Sequence, residues 1–408
     1  MNSARPFWVF VHRWVGLAMT PWLIIVALTG AVIAFSDELD AALNPQWFRV
    51  HAQARTPMDP IELHDRVEQS FAGRALLDYV VLTAPPGGSV RYIASPTSDP
   101  ATGRPYRLDQ DQVFLDPYSG RLLGARRYDA ASLRPENFVN FMNRLHYCLA
   151  LPGEHLAMLG GYVLGVAALL WTIDCFAGVY LTLPRSRARR ERAHPLTSWW
   201  RRWRIAWKLK WPASSTRLNF DLHRASGLWA WALLLVLAWS SVSLNLGEVY
   251  RPTARAVLGL RTELPTVAAP DAIPRPDWRA ALARGRQLMA IEARAARFAV
   301  NREDTLAFDP VHGAIVYTVW SSLDHARWPM TAVTFDARDG RFLRADWAGH
   351  PDDRPGDVFT RWIIWLHMAA VFGLPMQLAL SAAGLAITAL AVTGLVIWWR
   401  KLQARSAS

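Results

Sequence analysis

His12-Arg-Trp-Val-Gly16-Leu17 and His223-Arg-Ala-Ser-Gly227-Leu228 are two versions of one phrase, and each opens an apolar run. A second phrase precedes two further runs, at Leu145-His146 and at Leu366-His367. The offsets between the copies are 211 and 221 residues. A chain that repeats itself at such spacing reads as two tandem halves, each ordered helix, long intervening segment, helix. Halves that enter a membrane in the same sense are related by a pseudo-two-fold axis along its normal.

The runs themselves are Trp14–Phe35, Leu156–Leu183, Leu228–Leu246 and Met376–Trp399. Each is long enough for a helix to cross a hydrocarbon core of about 30 Å, which needs roughly 20 residues. The first exceeds the apolar core of a cleaved signal peptide and reads as a signal anchor. Basic residues gather between the second and third runs, in Arg185-Ser-Arg-Ala-Arg-Arg-Glu-Arg192, Trp199-Trp-Arg-Arg-Trp-Arg204, Lys208 and Lys210, and again at Arg5, Arg13, Arg400, Lys401 and Arg405. The positive-inside rule places all of these, and both termini, on the cytoplasmic side. The two long segments then lie outside.

Composition agrees. Of 408 residues 52% are hydrophobic and 19% charged, which excludes a disordered chain. The net charge of +12 sits beside the spans among interfacial tryptophans, so it reads as topology and attraction to anionic lipid, not nucleic-acid binding. Two cysteines exclude a disulfide scaffold, a Cys-rich zinc site and most iron–sulfur clusters. Cys148 and Cys175 are too far apart along helical chain to pair and read as inert packing. No Cys-x-x-Cys-His occurs, which excludes covalently attached haem.

The outer segments carry helix and strand patterns. Asp59–Phe71 and Asp277–Met289 read as helices. Tyr79–Leu82, Val90–Ile93, Ala314–Trp320 and Ala332–Phe335 read as strands, with turns at Asp116–Gly120, Asp309–Gly313 and Asp336–Gly340. The fold class is therefore an α+β membrane protein: four transmembrane helices in two tandem repeats of the same topology, each with an outer α+β module. The expected organisation is a first span over 1–36, module one over 37–137, a short outer helix and second span over 138–184, a basic inner loop over 185–218, a third span over 219–247, module two over 248–357, and an outer helix, fourth span and basic tail over 358–408.

Four histidines recur with the repeat. His12 and His223 belong at the inner ends of spans one and three. His146 and His367 belong on short outer helices that turn at Pro152 and Pro375 into spans two and four. Ionisable groups in a membrane are costly and usually face an interior or a ligand. Imidazoles from opposing helices suit the axial positions of haem iron and keep a second nitrogen for an orienting hydrogen bond. The competing readings are interfacial caps and a metal pathway, although the spans offer few other polar ligands. His155 has no repeat partner and is an additional candidate ligand. Asp174, inside span two, reads as an interhelical contact, a proton relay or a partner in propionate binding. Glycines at 30, 160, 161, 165, 178, 384 and 394 allow close helix approach and also make room for a flat macrocycle.

His12-Arg-Trp-Val-Gly-Leu, Leu28-Thr-Gly30, Phe35-Ser-Asp-Glu-Leu-Asp40, Asn219-Phe-Asp-Leu-His223-Arg-Ala-Ser-Gly-Leu228 and Asp116-Pro-Tyr-Ser-Gly120 together resemble the PepSY-associated transmembrane helix family across nearly the whole chain. Asp174-Cys175 departs from the Ser-Gly pair expected there. The family includes iron-regulated inner-membrane proteins and ferrisiderophore reductases with b-type haem. The resemblance implies PepSY-like folds for the outer modules, which would be periplasmic, and a bacterial inner-membrane location. The expected function is then a di-haem oxidoreductase, a haem-dependent ferric reductase with two haem b groups. His12 and His223 would bind one haem, and His146 and His367 the other. A quinol or cytoplasmic flavoprotein would donate electrons, because the chain carries no dinucleotide fingerprint. The acceptor would be a ferric siderophore or other ferric chelate. The alternatives are a PepSY protein that binds or regulates a periplasmic partner, and a siderophore or metal transporter.

Overall fold

The computed structural model describes residues 4–51, 53–54, 56–184, 195–268 and 273–406, with side chains excepted at 195–198. The basic stretch Arg185–Arg192 lies outside the described residues. In chain order the elements are α1 (Ala4–Ile33), α2 (Ser36–Leu43), α3 (Pro45–Phe48), α4 (Pro60–Ser70), β1 (Ala75–Leu76), β2 (Tyr79–Val81), β3 (Val90–Ile93), β4 (Ser95–Pro96), β5 (Gln112–Leu115), β6 (Leu122–Arg126), α5 (Phe138–Cys148), α6 (Gly153–Thr182), α7 (Pro195–Trp203), α8 (Ser215–Asn245), α9 (Gly247–Leu258), α10 (Trp278–Ala296), β7 (Val300–Asp309), β8 (Ala314–Ser321), β9 (Thr331–Asp336), β10 (Phe342–Asp346), α11 (Pro355–His367) and α12 (Gly373–Ser406). They divide into a helical unit, residues 1–35, 142–259 and 359–408, and an α+β unit, residues 36–141 and 260–358.

Four helices of the first unit, α1, α6, α8 and α12, are long and apolar enough to cross a membrane. Each overlaps an expected span and extends beyond it, because helical hydrogen bonding continues past the apolar stretch. Helix α1 packs against α6 and α12, and α8 packs against the same two, so α1 and α8 occupy opposite corners of a bundle. A Cβ on Gly384 would collide with the Ala27 carbonyl oxygen, and one on Gly160 would meet the Cys148 backbone. Those two glycines bring backbones together. Both cysteines are free and buried.

The two short helices before α6 and α12 form as expected, and the turns after them are tight. Leu149 (φ 59°), Ala150 (φ 53°) and Gly153 follow α5 in the left-handed region, and Ala369 (φ 49°), Phe372 (φ 63°) and Gly373 follow α11. A non-glycine residue held there costs on the order of 1 kcal/mol. Both reversals carry this cost within six residues of His146 or His367, where they fix the helix that presents the histidine.

In the α+β unit, helix α4 is capped by Asp59, whose Oδ1 accepts from the amides of Ile61 and Glu62, and α10 is capped in the same way by Asp277. All three expected turns close on glycines with positive φ: Gly120 (68°), Gly313 (60°) and Gly340 (70°). They join β5 to β6, β7 to β8 and β9 to β10. Strands β3, β5 and β6 make one antiparallel sheet, and α4 contributes Leu63 and Val67 to its core. A five-stranded sheet runs β10-β9-β8-β7-β2, with Leu282, Leu288 and Met289 of α10 in its core. Strand β2 comes from the first segment yet pairs with β7 of the second, Val80 opposite Leu306. The segments read as separate modules thus share a sheet.

Candidate cofactor site: two facing histidine pairs

The helical unit brings the four repeated histidines together in two pairs. The rings of His12 and His223, on α1 and α8, have centroids 6.2 Å apart and planes at 57°. The rings of His146 and His367, on α5 and α11, have centroids 6.2 Å apart and planes at 68°. The pairs lie at different levels. Along α1 the step from His12 to the residues that touch His146 is roughly 20–25 Å, at about 1.5 Å per residue. An apolar layer fills the space between them: Ala27, Cys175, Leu234, Leu237 and Ile387 are buried there, with Leu23, Trp171 and Trp231 packed against them.

In each ring the Nδ1 is committed. His146 Nδ1 lies 2.9 Å from the Val26 carbonyl oxygen and 3.1 Å from Thr29 Oγ1. His223 Nδ1 lies 3.1 Å from both the Leu390 carbonyl oxygen and Thr393 Oγ1. A carbonyl can only accept, so both nitrogens carry hydrogen. His367 Nδ1 lies 2.7 Å from Ser240 Oγ. That hydroxyl places its own proton on the carbonyls of Val236 and Leu237, so it too accepts from the ring. His12 Nδ1 donates to Asp174 Oδ1 at 2.8 Å. Among the described residues no hydrogen bond reaches any of the four Nε2 atoms. Neutral imidazoles protonated at Nδ1 present a lone pair at Nε2, the form in which histidine binds a metal.

Three glycines make room for these rings. A Cβ on Gly30 would stand 3.0 Å from His146 Cε1, and one on Gly394 3.1 Å from His223 Cε1. Gly178 faces His12 Cε1 at 3.7 Å. Of the glycines read from sequence as helix-packing residues, Gly160 and Gly384 thus serve close backbones, Gly30, Gly178 and Gly394 face imidazoles, and Gly165 faces the side chains of Leu246 and Asn245.

A family model of the PepSY-associated TM region matches residues 9–401. The chain belongs to that family. No curated protein matches it significantly. The PepSY-associated family is a family of membrane proteins, consistent with four apolar helices in this chain.

Two imidazoles that bind one metal from opposite sides, at about 2 Å each, place their ring centres about 6 Å apart. Both pairs meet that spacing. Among the described residues no group of three or more His, Cys, Asp or Glu is placed to hold an ion by itself. Sites that need three or four protein ligands therefore do not fit. Haem, which brings its own four equatorial nitrogens and lacks only two axial ligands, does fit.

His155 stands apart from both pairs, exposed in the first turn of α6. Thr29 and Thr393 were not recognisable as site residues in sequence. The signal for Ser240 was present: it follows His223 by the interval that separates Thr29 from His12. Asp221, fully buried two residues before His223, binds Arg217 and Arg224. Arg224 in turn donates to the carbonyls of Ile205, Ala206 and Lys208, which ties the chain after α7 to α8.

Proposed function

We propose that this protein is a di-haem oxidoreductase of the bacterial inner membrane that passes electrons outward to a ferric chelate, a ferric siderophore above all. One observation carries the reading: four imidazoles stand in two facing pairs, each with Nδ1 bonded and, among the described residues, Nε2 unbonded. His12 and His223 would hold one haem b, His146 and His367 the second. Such a group takes up and returns a single electron as its iron passes between the ferric and ferrous states.

The chain's own residues do the remaining work. Thr29, Val26, Ser240, Leu390 and Thr393 hold the rings in the Nδ1–H tautomer. The apolar layer between the pairs keeps water from the interval. Arg5, near the start of α1, donates to the Leu183 carbonyl after α6, and Arg400 of α12 donates to Thr216 of α8. This basic end is the one nearer His12 and His223, and the positive-inside rule assigns it to the cytoplasm. The second pair then lies toward the periplasm, where ferric chelates arrive. Ferrous iron binds hard oxygen ligands less well than ferric iron, so reduction frees the metal and spares the chelator.

The test is a pyridine haemochrome assay on purified full-length protein, followed by mixing the dithionite-reduced protein with a ferric siderophore and a ferrous-iron trap. About two haems b per chain, and reoxidation with ferrous iron appearing in the trap, are expected. Absence of a Soret band overturns the haem reading. Two haems that stay reduced in the presence of chelate overturn the assignment of acceptor.

A further inference from the structure

We infer that Asp174 is a positioning residue that makes His12–His223 the more electron-donating of the two ligand pairs, so that iron held there has the lower reduction potential. The inference rests on the reading of both pairs as iron ligands.

Three of the four imidazoles give their Nδ1 hydrogen to neutral acceptors: His146 to Val26 and Thr29, His223 to Leu390 and Thr393, and His367 to Ser240. His12 alone gives it to a carboxylate. The two helices concerned are otherwise alike at this point. Gly178 on α6 faces His12 as Gly394 on α12 faces His223. Four residues before each glycine stand Asp174 and Leu390. On α12 the backbone carbonyl of Leu390 accepts the bond. On α6 the Asp174 side chain does so, and Ala177 occupies the place from which Thr393 offers its hydroxyl. The departure touches one ligand of four.

The Asp174 side chain is only 11% exposed. Among the described residues His12 is its one hydrogen-bond partner. A carboxylate in such surroundings is costly unless a partner compensates it. A charge-assisted bond of this kind draws the Nδ1 proton toward the carboxylate and moves electron density onto Nε2. A more electron-rich imidazole nitrogen would favour ferric over ferrous iron held there and so lower its potential. Neutral hydroxyls and carbonyls do this far less. The potentials are then ordered low at His12–His223 and high at His146–His367, the direction that outward electron delivery requires. A contact that merely tied α1 to α6 would hold the helices together and leave both potentials alone.

The experiment is spectroelectrochemical titration and low-temperature EPR of the purified, haem-loaded full-length protein, for wild type, Asp174→Asn and the double variant Asp174→Leu/Ala177→Thr. The double variant copies the arrangement on α12 and leaves no uncompensated polar group, so it serves where the single variant folds poorly. Two transitions are expected in wild type. In the variants the lower one rises while the upper stays; a tenfold loss of ferric preference corresponds to 59 mV for one electron. One of two low-spin ferric EPR signals shifts with it. Folded variants with both transitions and both signals unmoved overturn the inference and leave the haem reading intact. A wild type without haem overturns the haem reading itself.

Discussion

Ser240 Oγ accepts a 2.7 Å hydrogen bond from His367 Nδ1, and the bond has a counterpart on the opposite helix, where Thr29 meets His146 at 3.1 Å. Both hydroxyls send their own protons back to a carbonyl of their helix, Ser240 to Val236 and Thr29 to Ile25. The two differ in redundancy. His146 has a second acceptor in the Val26 carbonyl at 2.9 Å, whereas among the described residues Ser240 is the one acceptor within hydrogen-bond distance of His367 Nδ1, with the Leu237 carbonyl in a weaker supporting position. Ser240→Ala should therefore weaken haem retention at this pair by about 10–100-fold, the usual range for loss of a ligand's outer partner. Thr29→Ala should cost less. Rates of haem transfer to apomyoglobin compare them, and equal rates in the two variants would contradict the asymmetry.

The pairs predict a grouping of histidine variants. His12→Ala and His223→Ala should each remove the same haem, and His146→Ala and His367→Ala the other. His155→Ala should remove none, because His155 is exposed and apart. The haemochrome ratio in the first four is expected to fall to about half that of wild type. Spectra in which His12 and His223 variants lose different species would break the pairing.

Close contacts at two glycines make a complementary test. The ring carbon of His146 lies 3.0 Å from a Cβ built on Gly30, and that of His223 lies 3.1 Å from one on Gly394. A β-branched side chain at either place must displace the ring. Gly30→Val should empty the His146–His367 site and spare the other, and Gly394→Val should do the reverse. Circular dichroism of each variant, run beside the absorption spectrum, separates a displaced ring from an unfolded bundle.

Sequence carried the four spans and the four histidines because each leaves a local signature: an apolar run, and a repeated phrase at its mouth. The Asp-to-Gly turns were legible for the same reason. Strand β7 was not, because Asn301, Arg302, Glu303 and Asp304 mask its alternation. Its pairing with β2 joins residues more than two hundred positions apart, and no local pattern encodes that register. The bond between His12 and Asp174 is equally non-local: Asp174 stood out as polar within a span, but its partner depends on how α1 lies against α6.

A buried ion pair anchors the first segment of the α+β unit. Asp40 and Arg126 are each 3% exposed, and both carboxylate oxygens of Asp40 accept from the guanidinium. Arg126 also donates to Gln112, Asn140 and the Glu136 carbonyl, so it joins α2, β5, β6 and α5. Removal of one partner strands a charge without water, at a cost of about 3–5 kcal/mol. Asp40→Ala should therefore lower the melting temperature of the detergent-solubilised protein far more than Glu62→Ala, which breaks an exposed pair with Arg66. Similar shifts in the two variants would show that the buried pair is already hydrated.

The pH response of the α+β unit follows from Glu303. Its carboxylate accepts from Arg286 Nε and Nη2, both at 2.7 Å, and from the Tyr317 hydroxyl. Chiefly the Arg286 bond holds the Glu303 carboxyl below its ordinary value of 4.5. Because the folded value lies below the unfolded one, the stabilisation is present above about pH 4.5 and is lost as pH falls through the folded value. Tyr317 moves the other way: burial first, then the Glu303 carboxylate, push its hydroxyl above the ordinary 10.0. Its contribution is whole below pH 10 and is lost as pH rises through the folded value. Arg286 is 56% exposed, so solvent screens the pair and the acid-side effect is about 0–1 kcal/mol. Melting temperatures of wild type and Glu303→Gln should differ at neutral pH and converge as pH falls from 4.5 through the folded value. Those of wild type and Tyr317→Phe should change their separation above pH 10, and again in acid as Glu303, which the Tyr317 hydroxyl also holds down, is protonated. A Glu303→Gln difference that stays constant from pH 7 to pH 3 would mean that the carboxylate's charge contributes nothing and that only the shape of the side chain matters.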